Sequence, residues 1–161
     1  MAWRQFGKTM LGVALSMASV LYAAVLIIDP YDSIWFSPPF DRAPITLNQR
    51  FSFPALARKA RFDSAVIGTS TIRLLRPAKL NQVFGGNFVN LSMNDARAYE
   101  EWRILELFAR HHPDARTVVF GIDIVWCEVG ETYKKFTRRP FPPWLYDENL
   151  WNDLLYMFNF P

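Results

Sequence analysis

The pattern of hydrophobic and polar residues divides the chain into three parts. Residues 10–28 form a run of nineteen residues without a charge. Residues 29–60 are rich in proline and aromatic residues, and their first part shows no helical or strand period. This composition predicts an irregular connector. From residue 61 to residue 161, short apolar runs alternate with amphipathic ones. This order predicts one apolar helix, a connector and a single α/β domain.

The apolar run has the features of a membrane-spanning helix. As a helix it would extend about 28 Å, close to the roughly 30 Å thickness of a bilayer's hydrocarbon core. Arg4 and Lys8 precede it, and Asp29 and Asp32 follow it. Because positive flanks stay on the cytoplasmic side, we expect residues 1–9 in the cytoplasm and the rest of the chain beyond the membrane. The alternative is a cleaved signal peptide, but the run is longer than that and ends in bulky residues, which favours an uncleaved anchor.

Small residues recur along one face of this helix. Steps of four, three and four residues place on a single stripe Gly12, Ser16, Ser19 and Ala23. Such stripes let two membrane helices approach closely, so this face is a candidate contact for a partner helix. The alternative is that small residues are simply common in membrane helices.

Aromatic residues cluster just after the predicted membrane segment, at Tyr31, Trp35 and Phe36. Aromatic side chains at this depth often lie against lipid headgroups. They also suit packing on the following domain, and the sequence leaves both alternatives open.

Three short apolar runs predict the strands of the domain. They cover residues 65–67, 88–91 and 117–120. A short helix is expected after the first run, and an amphipathic helix is predicted from Ala98 to His111 after the second. Short apolar strands that alternate with helices indicate a parallel sheet with helices on its faces.

The amphipathic helix has an expected cap and an expected apolar side. Asn94 or Asp95 is positioned to cap its start. Its apolar side is predicted to contain Trp102, Leu105 and Phe108.

Polar residues follow each of the three strands. Because parallel sheets bind their ligands beyond the carboxyl ends of the strands, these residues should converge on one edge. The segment Gly68-Thr69-Ser70 is suited to an exposed hydroxyl beside free backbone N–H groups, although the tripeptide alone favours a simple helix cap. The candidate nucleophile is Ser70, and the candidate binding residues are Gly68, Thr69, Arg73, Asn90, Asn94 and Asp123.

Three sequence motifs, VIGTSTIR, FVNLSMNDA and VVFGIDIVW, stand at these strand ends. Together with the apolar helix they resemble the membrane-anchored SGNH-hydrolase-like (GDSL-type) proteins of bacterial cell envelopes. The resemblance implies a flavodoxin-like domain, seen here in part, outside the bacterial inner membrane. It also implies hydrolysis or transfer of acyl esters on envelope glycans, with Ser70 as nucleophile.

The sequence departs from that family at the catalytic positions. Thr69 stands where the family has aspartate, and Asp123 replaces an asparagine donor. The family's second glycine, an oxyanion donor, has no clear match, and Asn94 lies in its neighbourhood. No late aspartate–histidine pair is found. Since a serine without a base is a weak nucleophile, we expect the chain to be catalytically incomplete. An accessory subunit of an inner-membrane complex is then the first hypothesis, and an esterase or O-acyltransferase is the alternative.

The two histidines offer neither a base nor a metal site. His111 and His112 are adjacent at a helix end, where their side chains point apart. We therefore expect no metal and no other cofactor. The sequence stops at Pro161 inside an amphipathic stretch, and we expect the native chain to continue, in which case the missing base could lie in that part. The alternative is a short, degenerate chain that docks onto another component through its apolar surfaces.

The sequence pI near 9.2 raises the question of nucleic acid. The basic residues are dispersed and accompany no nucleic-acid-binding motif, so we expect no such partner. Four of them, in a proline- and aromatic-rich segment, could meet an anionic lipid or an acidic partner, or form a solvated loop: Lys134, Lys135, Arg138 and Arg139. The single cysteine, Cys127, excludes an internal disulfide and is expected to be a buried apolar residue.

Overall fold

A computed structural model describes residues 2–34, 36–38 and 46–156 of the protein. The α-helices are α1 (Ala2–Ile28), α2 (Gln49–Arg58), α3 (Pro77–Phe84), α4 (Ala98–His111) and α5 (Leu150–Tyr156). The strands are β1 (Ser64–Ile67), β2 (Phe88–Asn90) and β3 (Thr117–Phe120). Short 3₁₀ turns cover Ile72–Leu74, Ile124–Cys127, Gly130–Thr132 and Pro143–Tyr146.

The three strands form one parallel sheet, as the apolar runs predict. The order is β2-β1-β3, and Val66 of β1 is in register with Asn90 on one side and Val119 on the other. All four residues of the central strand are buried, whereas β3 is only partly covered. Helices α2 and α4 pack on each other, α4 also contacts β1, and α3 packs on β2. The mixed α/β architecture with a parallel sheet and flanking helices is confirmed.

Helix α1 is a single continuous helix of 27 residues with no buried residue. Its length and apolar composition are those of a helix that crosses a membrane, and signal sequences share both features. Near its end, Val25 and Leu26 are partly buried against the core of the domain. The helix therefore has an apolar outer surface along its length and a contact with the domain in its last turns.

The prediction of an irregular connector is wrong for part of residues 29–60, because α2 lies within it. The Asn48 side chain caps this helix by accepting a hydrogen bond from the Arg50 N–H. Pro54 interrupts the helical pattern in the sequence and cannot donate to the Arg50 carbonyl. That carbonyl instead accepts a 2.9 Å hydrogen bond from the Tyr146 hydroxyl. A distant side chain thus satisfies the group that the proline leaves open.

The connector aromatics divide between packing and exposure. Tyr31 is buried in the domain and makes an edge contact with Trp144, at 5.2 Å between ring centroids. It also lies against Phe51 of α2. Phe36 is half-exposed, and Trp35 lies outside the described residues. For Tyr31, packing on the domain is therefore the correct alternative.

Helix α4 has the predicted bounds, and its buried face is predicted in part. Phe108 is buried and Leu105 is partly buried against the core, as expected, but Trp102 is 53% exposed. The other buried side chains are Glu100, Glu101, Ile104 and Leu107. The predicted cap is also wrong, since Arg97 is the N-cap and its N–H donates to the Glu100 carboxylate at 2.9 Å. Two buried carboxylates on this face are what the sequence pattern did not reveal.

A buried ion pair joins α2 to α4. Arg50 and Glu100 have fully buried side chains and form two hydrogen bonds, Nε to Oε1 at 2.8 Å and Nη2 to Oε2 at 2.7 Å. Two of the three remaining guanidinium N–H groups donate to the carbonyls of Asn94 and Asp95, each at 3.2 Å. Buried charges are tolerated in such a bidentate pair, in which further hydrogen bonds reach the rest of the guanidinium group.

Cys127 is exposed, which corrects the expectation of a buried residue. It ends the 3₁₀ turn Ile124–Cys127, and Ile124 at the start of that turn is 79% exposed. The turn follows the edge strand β3, and its apolar residues are not buried there.

We predict that Glu100→Gln lowers the free energy of unfolding by about 3 kcal/mol, because the Arg50 charge stays buried without its counterion. Glu148→Gln is the matched control, since Glu148 is 78% exposed and pairs with Arg110 at the surface. It should cost less than about 1 kcal/mol. Urea unfolding followed by circular dichroism measures both. Equal decreases in the free energy of unfolding would show that the buried pair contributes no more to stability than the surface pair.

Candidate functional site

Backbone hydrogen bonds bring the three strand ends together. The Met93 N–H donates to the Gly68 carbonyl at 2.9 Å, and the Gly121 N–H donates to the Ile67 carbonyl at 2.8 Å. The segments after β1, β2 and β3 are therefore neighbours, as expected for parallel strands. The predicted site residues follow these strand ends, and we call this edge the strand-end site.

Gly68 is required by close packing at the turn after β1. Its φ of +157° is rare for other residues, and a Cβ there would lie 2.6 Å from Ile72 Cγ2 and 3.1 Å from the Gly121 carbonyl oxygen. Only glycine therefore lets β1 and the segment after β3 approach this closely.

Two threonines and an aspartate form one hydrogen-bonded group. The Thr69 hydroxyl donates to Asp123 Oδ2 at 2.7 Å, and the Thr71 hydroxyl donates to the same oxygen at 3.3 Å. The other oxygen of Asp123 accepts from the Ile124 N–H. The Thr69 hydrogen bond, followed by that of the Ile124 N–H, holds the pKa of Asp123 below its usual range. Thr69 and Asp123 thus satisfy each other and fix the β1 and β3 ends.

Ser70 is exposed at the tip of the turn after β1. Among the described residues its hydroxyl has no hydrogen-bond partner. Nearby, Arg73 Nη1 donates to Asn94 Oδ1 at 2.7 Å, which joins the β1 and β2 ends. Asn90 donates to the carbonyls of Arg73 and Leu75, at 3.0 and 2.9 Å. The predicted site residues at these two ends therefore hydrogen-bond to each other and to the nearby backbone.

The backbone N–H that a substrate oxyanion would need is already occupied. The Asn94 N–H donates to Gln49 Oε1 at 2.7 Å, from the first residue of α2. The Ser92 N–H likewise donates to Asn90 Oδ1 at 3.0 Å. Because an oxyanion hole needs free donors aimed at the reacting atom, this part of the site is not arranged to stabilise one.

Both histidines lie at the opposite end of the sheet. His111, His112 and Asp63 line one surface cleft, and Asp63 immediately precedes β1. The His112 Nε2 is 2.8 Å from the Ala57 carbonyl oxygen. Since Ser70 follows the other end of the same strand, neither histidine is positioned as its base.

Glu101 is a buried carboxyl group near the site that sequence analysis missed. Its Oε2 accepts a 3.0 Å hydrogen bond from the Trp126 indole, and among the described residues Oε1 has no partner. Burial raises its pKa to about 7, against the lowering effect of that hydrogen bond, and the charges of Asp123 and Glu100 raise it further. Its spacing from Ile104 and Phe108 is the helical signal that could have revealed its burial.

The basic segment packs through its aromatic residues. Lys135 Nζ lies 4.2 Å from the centre of the Tyr99 ring, and Phe136 packs on Phe141 at 5.3 Å between centroids. The four cations are all exposed: Lys134, Lys135, Arg138 and Arg139. In residues 2–34, 36–38 and 46–156, no group of three or more histidine, cysteine or acidic side chains is arranged to hold a metal ion.

No protein-family model, no curated protein and no solved structure matches the chain. Evidence on function therefore comes from the strand-end site and helix α1.

We predict that Glu101→Gln stabilises the protein above neutral pH. The folded-state pKa of Glu101 is about 7, above its ordinary value of 4.5, so the native state binds the extra proton and stability falls as pH rises through this window. Glutamine keeps an acceptor for Trp126 without a charge. The gain should reach up to about 3 kcal/mol at pH 8 and vanish near pH 4.

Thermal unfolding of wild type and variant from pH 4 to pH 8 tests this expectation. Glu106→Gln, on the more exposed side of the same helix, controls for replacing a carboxylate by an amide. If the difference in stability between wild type and Glu101→Gln is the same at every pH, Glu101 does not titrate in this range.

Proposed function

We propose that this protein is a single-pass, membrane-anchored accessory subunit whose α/β domain lies outside the bacterial cytoplasmic membrane. Helix α1 crosses the membrane with residues 1–9 in the cytoplasm. The domain is related to SGNH hydrolases but does not itself catalyse hydrolysis. The observation that carries this proposal is the internal pairing of the strand-end site around a serine that has no base among the described residues.

The topology supports the relationship. Flavodoxin-like sheets begin with the parallel strand order 2-1-3, and the order here is β2-β1-β3. The turn after the central strand begins with Gly68, as the first sequence block of the SGNH family begins with glycine. A fold does not by itself determine an activity, so the role of the domain depends on its side chains.

Those side chains favour a non-catalytic role. Activation of Ser70 requires a general base within hydrogen-bond reach, and its hydroxyl has no partner in the described part of the chain. The Asp123 carboxylate is engaged by Thr69 and Thr71. The Asn94 N–H is engaged by Gln49. Asp123 and the Asn94 N–H therefore have structural partners, and Ser70 has no base among the described residues.

Two exposed surfaces are suited to contacts with other components. The stripe of Gly12, Ser16, Ser19 and Ala23 is uncovered along α1, and no atom lies within 4 Å of a Cβ placed on Gly12. Its small side chains suit a second membrane helix. The exposed basic segment from Lys134 to Arg139 suits an acidic partner or an anionic lipid surface. These are the features expected of a subunit in a membrane complex.

The alternative function is an esterase or O-acyltransferase that acts on envelope glycans. The exposed Ser70 hydroxyl at a strand end, with Arg73 one turn further on, favours it. In that case the aspartate–histidine pair must come from residues beyond those described or from a partner subunit.

We predict that the protein is not labelled by a fluorophosphonate probe of serine hydrolases. The reason is that the unactivated Ser70 hydroxyl is a weak nucleophile at neutral pH. The assay uses the detergent-solubilised full chain, with an active serine esterase as positive control. Labelling of wild type that Ser70→Ala abolishes would overturn the accessory proposal and support the esterase.

We also predict that the stripe on α1 mediates association in the membrane. Ser16→Leu together with Ser19→Leu should reduce co-purification of the partner at least about tenfold, because the two backbones can no longer approach closely. Val13→Leu with Met17→Leu is the control, since both residues are exposed off the stripe. Quantitative crosslinking in intact membranes followed by purification in mild detergent measures the effect. Equal loss in both pairs would contradict a specific role for the stripe.

A further inference from the structure

Helix α5 lies beside the last turns of α1. The Tyr22 hydroxyl of α1 is 3.4 Å from the Leu154 carbonyl oxygen of α5. Leu154 also packs against the same core as Val25 and Leu26. Helix α5 therefore meets α1 at Tyr22, and both helices pack on the same core.

The apolar outer surface of α1 continues past the level of this contact. Ile27 and Ile28, the last two residues of α1, are each 57% exposed. Tyr22 precedes Ile28 by six residues, which corresponds to about 9 Å along the helix axis. If lipid covers the exposed apolar residues up to Ile28, the contact with α5 lies below the outer end of the membrane-spanning surface.

Helix α5 is fixed to the domain and turns one large side chain outward. Asp153 is buried near Arg58 of α2, and α5 packs on the turn Pro143–Tyr146. Trp151, in contrast, is 75% exposed. An exposed tryptophan is costly in water, but it is favourable at the level of lipid headgroups, where one side of the ring is apolar and the N–H is hydrated.

We propose that α5 lies in the interface of the outer leaflet, with Trp151 inserted among the lipid headgroups. The occupant of this surface is the lipid bilayer that α1 crosses, and the proposal rests on the membrane anchoring of α1. The α/β domain is then seated on the membrane through two elements. A single helix would leave it tethered and free to rotate.

The position of α5 along the α1 axis and its exposed Trp151 favour lipid over a protein partner. Amphipathic helices in the interface are buried about 5–10 Å into the headgroup and acyl boundary. The α5 contact on α1 lies at about the same distance from Ile28. The opposite end of α1 has a similar arrangement, with Trp3 85% exposed and in edge contact with Phe6. Aromatic side chains thus stand near both ends of the apolar segment, as in membrane proteins.

Spin labels at three positions test this proposal in the full chain. In a Cys127→Ser background, single cysteines replace Leu15 in the middle of α1, Trp151 on α5 and Val83 on α3. Leu15 and Val83 are 59% and 74% exposed, so Val83 matches Trp151 in exposure, and α3 packs on β2. The protein is reconstituted in vesicles of phosphatidylcholine and phosphatidylglycerol. Relaxation by oxygen, which partitions into lipid, is compared with relaxation by a water-soluble nickel chelate.

We expect the oxygen-to-nickel ratio at position 151 to be severalfold higher than at position 83, and highest at position 15. A ratio at position 151 equal to that at position 83, with position 15 in lipid, overturns the interfacial placement of α5 and leaves the anchor intact. A water-exposed label at position 15 overturns the anchor and the inference together. Circular dichroism of each labelled protein confirms that the compared chains are folded.

Discussion

The buried pair of Arg50 and Glu100 holds the described domain together. One guanidinium group joins the start of α2 to α4 and to the two carbonyls of the loop after β2. The Arg50 carbonyl in turn accepts from Tyr146, more than ninety residues later in the chain. An ion pair without access to water depends on further hydrogen bonds to its charged groups. Here the loop after β2, which belongs to the strand-end site, accepts two of them.

The arrangement of the strand-end site follows from this constraint. Arg50 holds the backbone at Asn94 and Asp95, and Gln49 beside it occupies the Asn94 N–H. The β2 end is therefore fixed from α2, while Thr69 fixes the Asp123 loop from the β1 end. Apart from the Ser70 hydroxyl, the polar side chains of this site are hydrogen-bonded within the protein. This is the physical basis for proposing a scaffold in place of an esterase.

The sequence predicts the sheet well because its strands are short apolar runs that end in polar residues. Their positions, the parallel arrangement and the bounds of α4 follow from local pattern alone. Helix α2 could not be predicted in this way, because Pro54 interrupts its pattern and the compensating Tyr146 lies 96 residues from Arg50. The burial of Glu100 depends on the same kind of distant partner.

The candidate site shows the same division. Its residues could be named from the strand ends, and Gly68, Thr69, Arg73, Asn90, Asn94 and Asp123 do lie at this edge. Their pairing could not be predicted, since it depends on side-chain geometry between strands that are far apart in sequence. Glu101 was missed because a carboxylate on an apolar helix face is usually assigned to the solvent side.

The central claim is that the protein works as part of a membrane assembly through α1 and the exposed surfaces of a non-catalytic domain. Native mass spectrometry of particles released directly from the membrane tests it without extraction of the single chain. The account predicts that the protein occurs at a fixed ratio in a particle heavier than the single chain, with at least one other membrane protein. The single chain as the only species would contradict it.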